Sequence, residues 1–329
     1  MKRKVKSLLA FLCALALPLI LAGCGDPLME PVPPKADAAA CATQTTRQNA
    51  EKRILAALSL AGNSDFSSLP SILSGPELPI RESQMKVAAK TGQPNADMQI
   101  PYPASAVFLP SSCSWPRSIT VITEPTQDQY SQRILTFTQQ DPRSNYTLWS
   151  EIVLYPGAQL PFNAAGVQRV EYGDQPAAGL MATPMEAVSW YADVLENGEK
   201  SAHWSSVETG DLYLNLQELK SDLASALATS KGSQSETFSP DYSSAKILKL
   251  SAGDLVIAQI NSTWVRNAGP GGQATPATAA EKALFTSKPS QTLTVKYVNA
   301  VALFIPSSSK GTKIEVLGAE REPVSVKAS

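Results

Sequence analysis

The chain has 329 residues, of which 43% are hydrophobic, and its 28 Lys and Arg residues nearly balance its 29 Asp and Glu residues. This balance excludes the basic surface that nucleic-acid binding requires, so we expect no nucleic-acid partner. After the first 40 residues, about 290 remain, which is enough for one large or two ordinary domains.

The first 23 residues have the composition of an export signal. Four basic residues lie within the first six positions and precede an apolar run from 8 to 21. That run is too short to cross a bilayer, which takes about 20 apolar residues, so it indicates a signal peptide that is removed. Removal of residues 1–23 takes away the four basic charges and shifts the formal net charge from −1 to −5.

The signal ends in Leu21-Ala22-Gly23-Cys24, which resembles the bacterial lipobox. The resemblance implies that the Cys24 thiol takes a diacylglycerol and that the chain is cut before Cys24. Acyl chains such as palmitate would then hold the mature protein at the extracytoplasmic face of the cell membrane. The alternative is an ordinary secretory signal followed by a chance cysteine. Residues 24–40 are rich in Pro and Ala and are predicted to form an extended tether.

The four cysteines have separate predicted fates. Cys13 leaves with the signal peptide and Cys24 accepts the lipid, so Cys41 and Cys113 remain. Two thiols in an oxidising compartment usually pair, and we therefore predict a disulfide between Cys41 and Cys113. The alternative is two unrelated buried thiols, since the sequence does not show that their Cα atoms come close.

The first half of the mature chain opens with a predicted helix over 43–61, in which apolar residues recur at helical spacing from Ile54 to Ala61. A short helical segment over 66–73 follows. Strand-like runs bounded by turn residues then predict strands at 78–89, 118–123, 133–139 and 146–155.

A Gly- and Pro-containing segment at 173–179 separates the two halves. Thr183-Pro184-Met185-Glu186 predicts a helix start, since Thr183 can cap the helix and Glu186 can complete a capping box. This helix is predicted to end at Asn197-Gly198. The remaining predicted elements are a helix at 216–228, strands at 245–250, 254–265, 293–305 and 313–320, and a long loop at 267–280. The short link at 251–254 predicts an antiparallel hairpin of the first two strands.

This order predicts an α+β fold of two tandem domains, 41–172 and 180–329, each with N-terminal helices packed on a curved antiparallel sheet. The order resembles the cone-shaped α+β fold of nuclear-transport-factor-2-like domains. Short motifs, including Trp115-Pro116-Arg117 and Tyr146-Thr147-Leu148-Trp149, resemble an uncharacterised family of actinobacterial lipoproteins. The resemblance implies the fold and an envelope location, and it carries no established activity.

Few residues suggest catalysis or metal binding. His203 is the single histidine, which removes most metal sites and the usual Ser-His-Asp triad. We therefore predict no catalytic residue, no metal site and no cofactor. Trp115 and Trp204 lie in loop-like sequence, where an exposed indole can stack on a ligand. Arg117 either neutralises an acidic ligand or forms a salt bridge within the fold. These three residues are the candidate ligand contacts.

These features favour a non-catalytic, membrane-anchored lipoprotein that binds a small ligand or an envelope protein in a pocket or groove. An envelope enzyme without a recognisable motif is the alternative, since a few Asp, Tyr or Arg side chains can support catalysis on such a fold. A solute-binding component of a transporter ranks third, because the sequence lacks the repeated β-α-β order typical of such proteins.

Overall fold

The computed structural model describes residues 41–61, 66–93, 103–125, 131–173, 179–309 and 312–329. The predicted signal peptide at 1–23, the lipid acceptor Cys24 and the tether at 24–40 lie outside these residues. No helix in the described part of the chain is long and apolar enough to cross a membrane.

Five α-helices and nine strands form within the described residues. The helices are α1 (Gln44–Ala61), α2 (Glu77–Thr91), α3 (Pro184–Asn197), α4 (Gly210–Thr229) and α5 (Ala279–Leu284). The strands are β1 (Ala104–Pro110), β2 (Arg117–Thr123), β3 (Arg133–Gln139), β4 (Thr147–Val153), β5 (Gly166–Tyr172), β6 (Ser233–Leu250), β7 (Gly253–Asn267), β8 (Thr292–Pro306) and β9 (Glu315–Ala328).

These strands join in one mixed sheet with the order β4-β3-β2-β1-β5-β6-β7-β8-β9. β1 and β5 run parallel, and the other neighbouring strands are antiparallel. β5 meets β6 through a short pairing of Glu171 with Lys249 and Tyr172 with Leu248. The α+β class is therefore confirmed. Two tandem domains with separate antiparallel sheets are not confirmed, because Ala40–Ser329 clusters as one compact unit around a continuous mixed sheet.

The two halves of the sheet pack against each other across a central apolar core. Phe108 and Ile134 enter this core from the first half, and Ile257 and Phe304 enter it from the second. Phe162 contacts both halves, since its ring centroid lies 6.0 Å from that of Phe108 and 5.7 Å from that of Phe304. Three further apolar clusters lie beneath helices: one beneath α1, one beneath α3 and the start of α4, and one beneath α4 and α5. Helices therefore cover the outer faces of both halves.

Helix side chains cover backbone hydrogen-bonding groups at the open edges of the sheet. The Glu77 carboxylate accepts the backbone N–H of Glu151 on β4 at 3.0 Å. The Glu196 carboxylate accepts the N–H of Phe238 on β6 at 2.8 Å. Ser83 donates its hydroxyl to the carbonyl of Pro323 on β9 at 2.5 Å. Such contacts stop exposed strand edges from pairing with other chains.

A buried charge network joins α2 to the first half of the sheet. Arg81 donates to Glu77 at 2.7 Å and to Glu151 at 2.8 Å, and Arg133 pairs with the other Glu151 oxygen at 2.5 Å. Burial raises the pKa of Glu151 to about 7, although the two arginines oppose this rise.

The predicted strand at 78–89 is wrong, because this segment lies in helix α2. Buried polar residues of α2 interrupt the apolar stripe that would have indicated a helix in the sequence.

Several local predictions agree with the structure and others need correction. The capping box is confirmed, since Thr183 accepts the Glu186 N–H at 3.2 Å and Glu186 accepts the Thr183 N–H at 2.8 Å. The hairpin is confirmed with Leu250 opposite Gly253. The helical segment at 66–73 is a 3-10 turn over Leu69–Ser71. The sequence patterns did not predict β1, β5, the first half of β6, or α5, which lies partly in the expected loop at 267–280.

Candidate functional site

The predicted disulfide between Cys41 and Cys113 is confirmed. Their Cα atoms lie 5.1 Å apart, within the range that a disulfide requires. The bond closes a segment with a sequence separation of 72 residues and fixes the start of α1 to the loop between β1 and β2.

Arg117 and Trp115 lie beside this disulfide. The Arg117 guanidinium donates to the carbonyl of Cys41 at 2.8 Å and to the carbonyl of Cys113 at 3.1 Å. It also lies 3.6 Å from the centroid of the Trp115 ring, at the distance of a cation–π contact. These contacts give both side chains a structural role. Their predicted role as ligand contacts stays a prediction.

A polar cleft of about 330 Å³ lies along the start of α1. Its lining includes Thr43, Thr46, Asn49, Arg53 and Tyr146. The Arg53 guanidinium donates to the backbone carbonyl of Tyr146, and burial lowers its pKa. The Arg53 guanidinium in this cleft is therefore already hydrogen-bonded to the backbone.

A second cleft, of about 400 Å³, contains the predicted contact Trp204. We call it the Trp204 cleft, and its lining residues are Trp204, Val207, Glu208, Thr209, Gly210 and Lys313. It lies between the segment that leads into α4 and the connection from β8 to β9. Trp204 is half-buried, whereas Glu208 and Lys313 are exposed. The cleft thus brings one aromatic ring together with an acid, a base and a hydroxyl group.

Aromatic contacts hold Trp204 in position. Its ring meets that of Tyr213 edge to face, with centroids 5.3 Å apart. The neighbouring His203 stacks on Trp190, with centroids 4.6 Å apart and the planes 7° from parallel. The single histidine is therefore a packing partner of a half-buried tryptophan. Such aromatic pairs are each worth about 0.5–1.5 kcal/mol beyond their buried area.

Backbone hydrogen bonds join the two walls of the cleft. Ile314 donates its N–H to the carbonyl of Ser206 at 2.9 Å, and Glu208 donates its N–H to the carbonyl of Ile314 at 2.8 Å. Val207, between them, pairs with Ile314 as a parallel bridge. This bridge fixes Glu208 and Lys313 on opposite walls although they are far apart in the chain.

Gly210 lines the cleft at the residue where α4 begins. Its φ is +66°, and a Cβ there would lie 2.7 Å from the Tyr155 ring and 3.2 Å from Val316. The Tyr155 hydroxyl accepts the N–H of Leu212 at 3.1 Å, and burial raises its pKa to about 12. Only glycine fits this backbone conformation and close approach without strain.

One acidic group beside the cleft has a shifted pKa. Glu315 follows Lys313 and Ile314 and is half-buried at the start of β9. Burial raises the pKa of Glu315, and the Glu208 carboxylate raises it further. Among the residues that line this cleft, the sequence predicted only Trp204 as a ligand contact, because Glu208, Thr209 and Lys313 match no motif.

The fold and the cleft define an α+β protein with an open surface site beside a tryptophan. A family model described as a domain of unknown function (DUF8094) matches residues 34–328, and the chain belongs to that family. No curated protein and no solved structure matches the chain. The family's description contains no lipoprotein or nuclear-transport-factor-2-like assignment, so both of these stay predictions.

Proposed function

We propose that the mature protein is a lipid-anchored, extracytoplasmic binding protein of the bacterial cell envelope, and that its ligand occupies the Trp204 cleft. The observation that carries the binding role is the half-buried indole of Trp204 in a cleft that also presents acidic, basic and hydroxyl groups. Small-ligand sites combine an apolar surface with a few polar groups in this way.

The Leu21-Ala22-Gly23-Cys24 sequence supports the anchor. The disulfide between Cys41 and Cys113 is of the kind that persists in oxidising compartments outside the cytoplasm. In an extended conformation of about 3.1 Å per residue, the tether at 24–40 would reach about 50 Å from the membrane. That length would leave the Trp204 cleft accessible to other envelope components.

We also propose that the chain consists of two domains that resemble nuclear-transport-factor-2-like domains. In each half of the chain, helices precede the strands: α1 and α2 come before β1–β5, and α3 and α4 come before β6–β9. This repeated order is the feature that supports an origin in two such domains, 41–172 and 180–329.

A cell-envelope enzyme is the second candidate. The observation in its favour is the pair of carboxyl groups beside the cleft, because burial and the Glu208 carboxylate both raise the pKa of Glu315, and a raised carboxyl pKa is a feature of general acids. If this candidate is right, the Glu315→Gln variant will bind a substrate normally and fail to convert it. The binding proposal instead expects wild-type protein to release its ligand chemically unchanged.

The anchor is tested by replacing its lipid acceptor. We expect wild-type protein to fractionate with membranes and to incorporate labelled palmitate, and the Cys24→Ala variant to do neither. Retention of the Cys24→Ala variant in the membrane fraction would show that the lipid does not anchor the protein.

The binding role is tested by hydrogen–deuterium exchange on the full-length protein, purified in a detergent without a sugar headgroup. Polysaccharide, lipid and protein fractions of the envelope are added separately. We expect one of them to slow exchange at 204–212 and 312–316, which form the two walls of the cleft. If no fraction protects these segments, the binding proposal is wrong.

A further inference from the structure

The ligand class follows from the groups that line the Trp204 cleft. We infer that the cleft binds a neutral pyranose unit of an oligosaccharide, with the sugar ring packed on the indole of Trp204. This inference rests on the proposed binding function and adds the chemical identity of the ligand.

The indole supplies the stacking surface. Its π face carries partial negative charge, whereas one face of a pyranose ring presents C–H groups with partial positive charge. The edge-to-face contact with Tyr213 holds the indole in a fixed orientation. Because the ring is already in place, a sugar that packs on it does not have to order it.

The polar lining matches hydroxyl groups. Glu208 can only accept hydrogen bonds, Lys313 can only donate them, and the Thr209 hydroxyl can do both. Each sugar hydroxyl also donates and accepts, so sugar hydroxyls can pair with an acceptor, a donor or a hydroxyl group alike.

The signs of the charges disfavour a ligand that carries a net charge. An anionic ligand that pairs with Lys313 would lie near the Glu208 carboxylate, which lines the same cleft. A cationic ligand that packs on Trp204 would face the Lys313 ammonium. A neutral polyhydroxylated ligand avoids both repulsions.

The size and openness of the cleft fit one part of a longer chain. A volume of about 400 Å³ lies near the lower end of the range of roughly 300–1,000 Å³ for small-ligand sites. Exposed Glu208 and Lys313 mark an open rim, so neighbouring sugar units can continue into solvent.

The test measures binding of defined oligosaccharides to the full-length protein by calorimetry and by saturation-transfer NMR. The probes are neutral di- to tetrasaccharides of glucose, mannose, galactose or N-acetylglucosamine, with hexuronic-acid and glucosamine oligomers as charged comparisons. We expect at least one neutral probe to bind and to receive saturation at its ring C–H groups. The Trp204→Ala variant should weaken that binding at least tenfold.

Three further variants make the result specific. Lys313→Met, which changes an exposed side chain, should weaken binding without affecting folding. Glu208→Gln keeps an acceptor oxygen and should bind a neutral sugar within threefold of wild type. The matched aromatic control is Tyr242→Ala, since Tyr242 is 41% exposed and lies outside the cleft, and it should bind as wild type does.

Three outcomes would overturn the inference: no neutral probe binds, charged probes bind better, or Trp204→Ala and Lys313→Met bind as well as wild type. If the probes fail while a lipid or protein fraction protects the cleft from exchange, the sugar assignment is wrong and the binding role stands. If no fraction protects the cleft, both proposals are wrong.

Discussion

Loss of the disulfide between Cys41 and Cys113 should measurably destabilise the fold. The bond spans a sequence separation of 72 residues. In the loop-entropy model, closing a loop of that length in the unfolded chain corresponds to about 4.4 kcal/mol at 25 °C. For a folded region of about 290 residues, this free energy corresponds to a fall of about 7 °C in Tm.

The assay compares denaturant unfolding of wild-type protein with that of the Cys41→Ala/Cys113→Ala double variant, each with and without a reducing agent. We expect the free energy of unfolding to fall by a few kcal/mol in the double variant and in reduced wild type. The reducing agent should have no effect on the double variant. Equal stability of oxidised wild type and the double variant, within about 0.5 kcal/mol, would refute the reasoning.

Three further perturbations test the fold and the cleft. Glu77→Ala leaves Arg81 short of a buried partner, so the free energy of unfolding should fall by about 3–5 kcal/mol in denaturant titrations. Gly210→Ala forces a Cβ against Tyr155 at positive φ and should cost about 1–3 kcal/mol while exchange rises at 204–212. Bonds from Thr183 lower the pKa of Glu186, so its stabilisation is present above the ordinary value of 4.5 and is lost as the pH falls below it. Glu186→Gln should therefore reduce the loss of stability in acid, measured by denaturation at a series of pH values.

Local signals predicted the parts of the fold that depend on neighbours in sequence. The Thr183 capping box depends on a contact three residues away, and the β-branched and aromatic residues of 133–139 predicted β3 with the observed bounds. Cys41 and Cys113 could be paired because they are the two cysteines outside the predicted signal peptide and lipid anchor. In the cleft, the loop position of Trp204 was enough to mark it as a candidate contact.

Contacts between distant residues could not be predicted in this way. The buried charges of segment 78–89 find their partners only in the folded chain, where Arg81 pairs with Glu151, 70 residues further along, and Glu151 in turn pairs with Arg133. β1 and β5 are the first and last strands in the first half of the chain. Their parallel pairing leaves no pattern in the local sequence.

The sequence by itself was enough to predict the cysteine pairing and the α+β class, and it is the basis of the proposed export signal and lipobox, because each depends on composition or on spacing over a few residues. Only the tertiary structure decided that the two halves share one sheet and that Lys313 lies opposite Trp204. The physical reason is that the cleft depends on the hydrogen bonds of Ile314 with Ser206 and Glu208, which join segments about 100 residues apart. Such long-range pairing has to offset the entropy of closing a long loop and leaves no pattern in the local sequence.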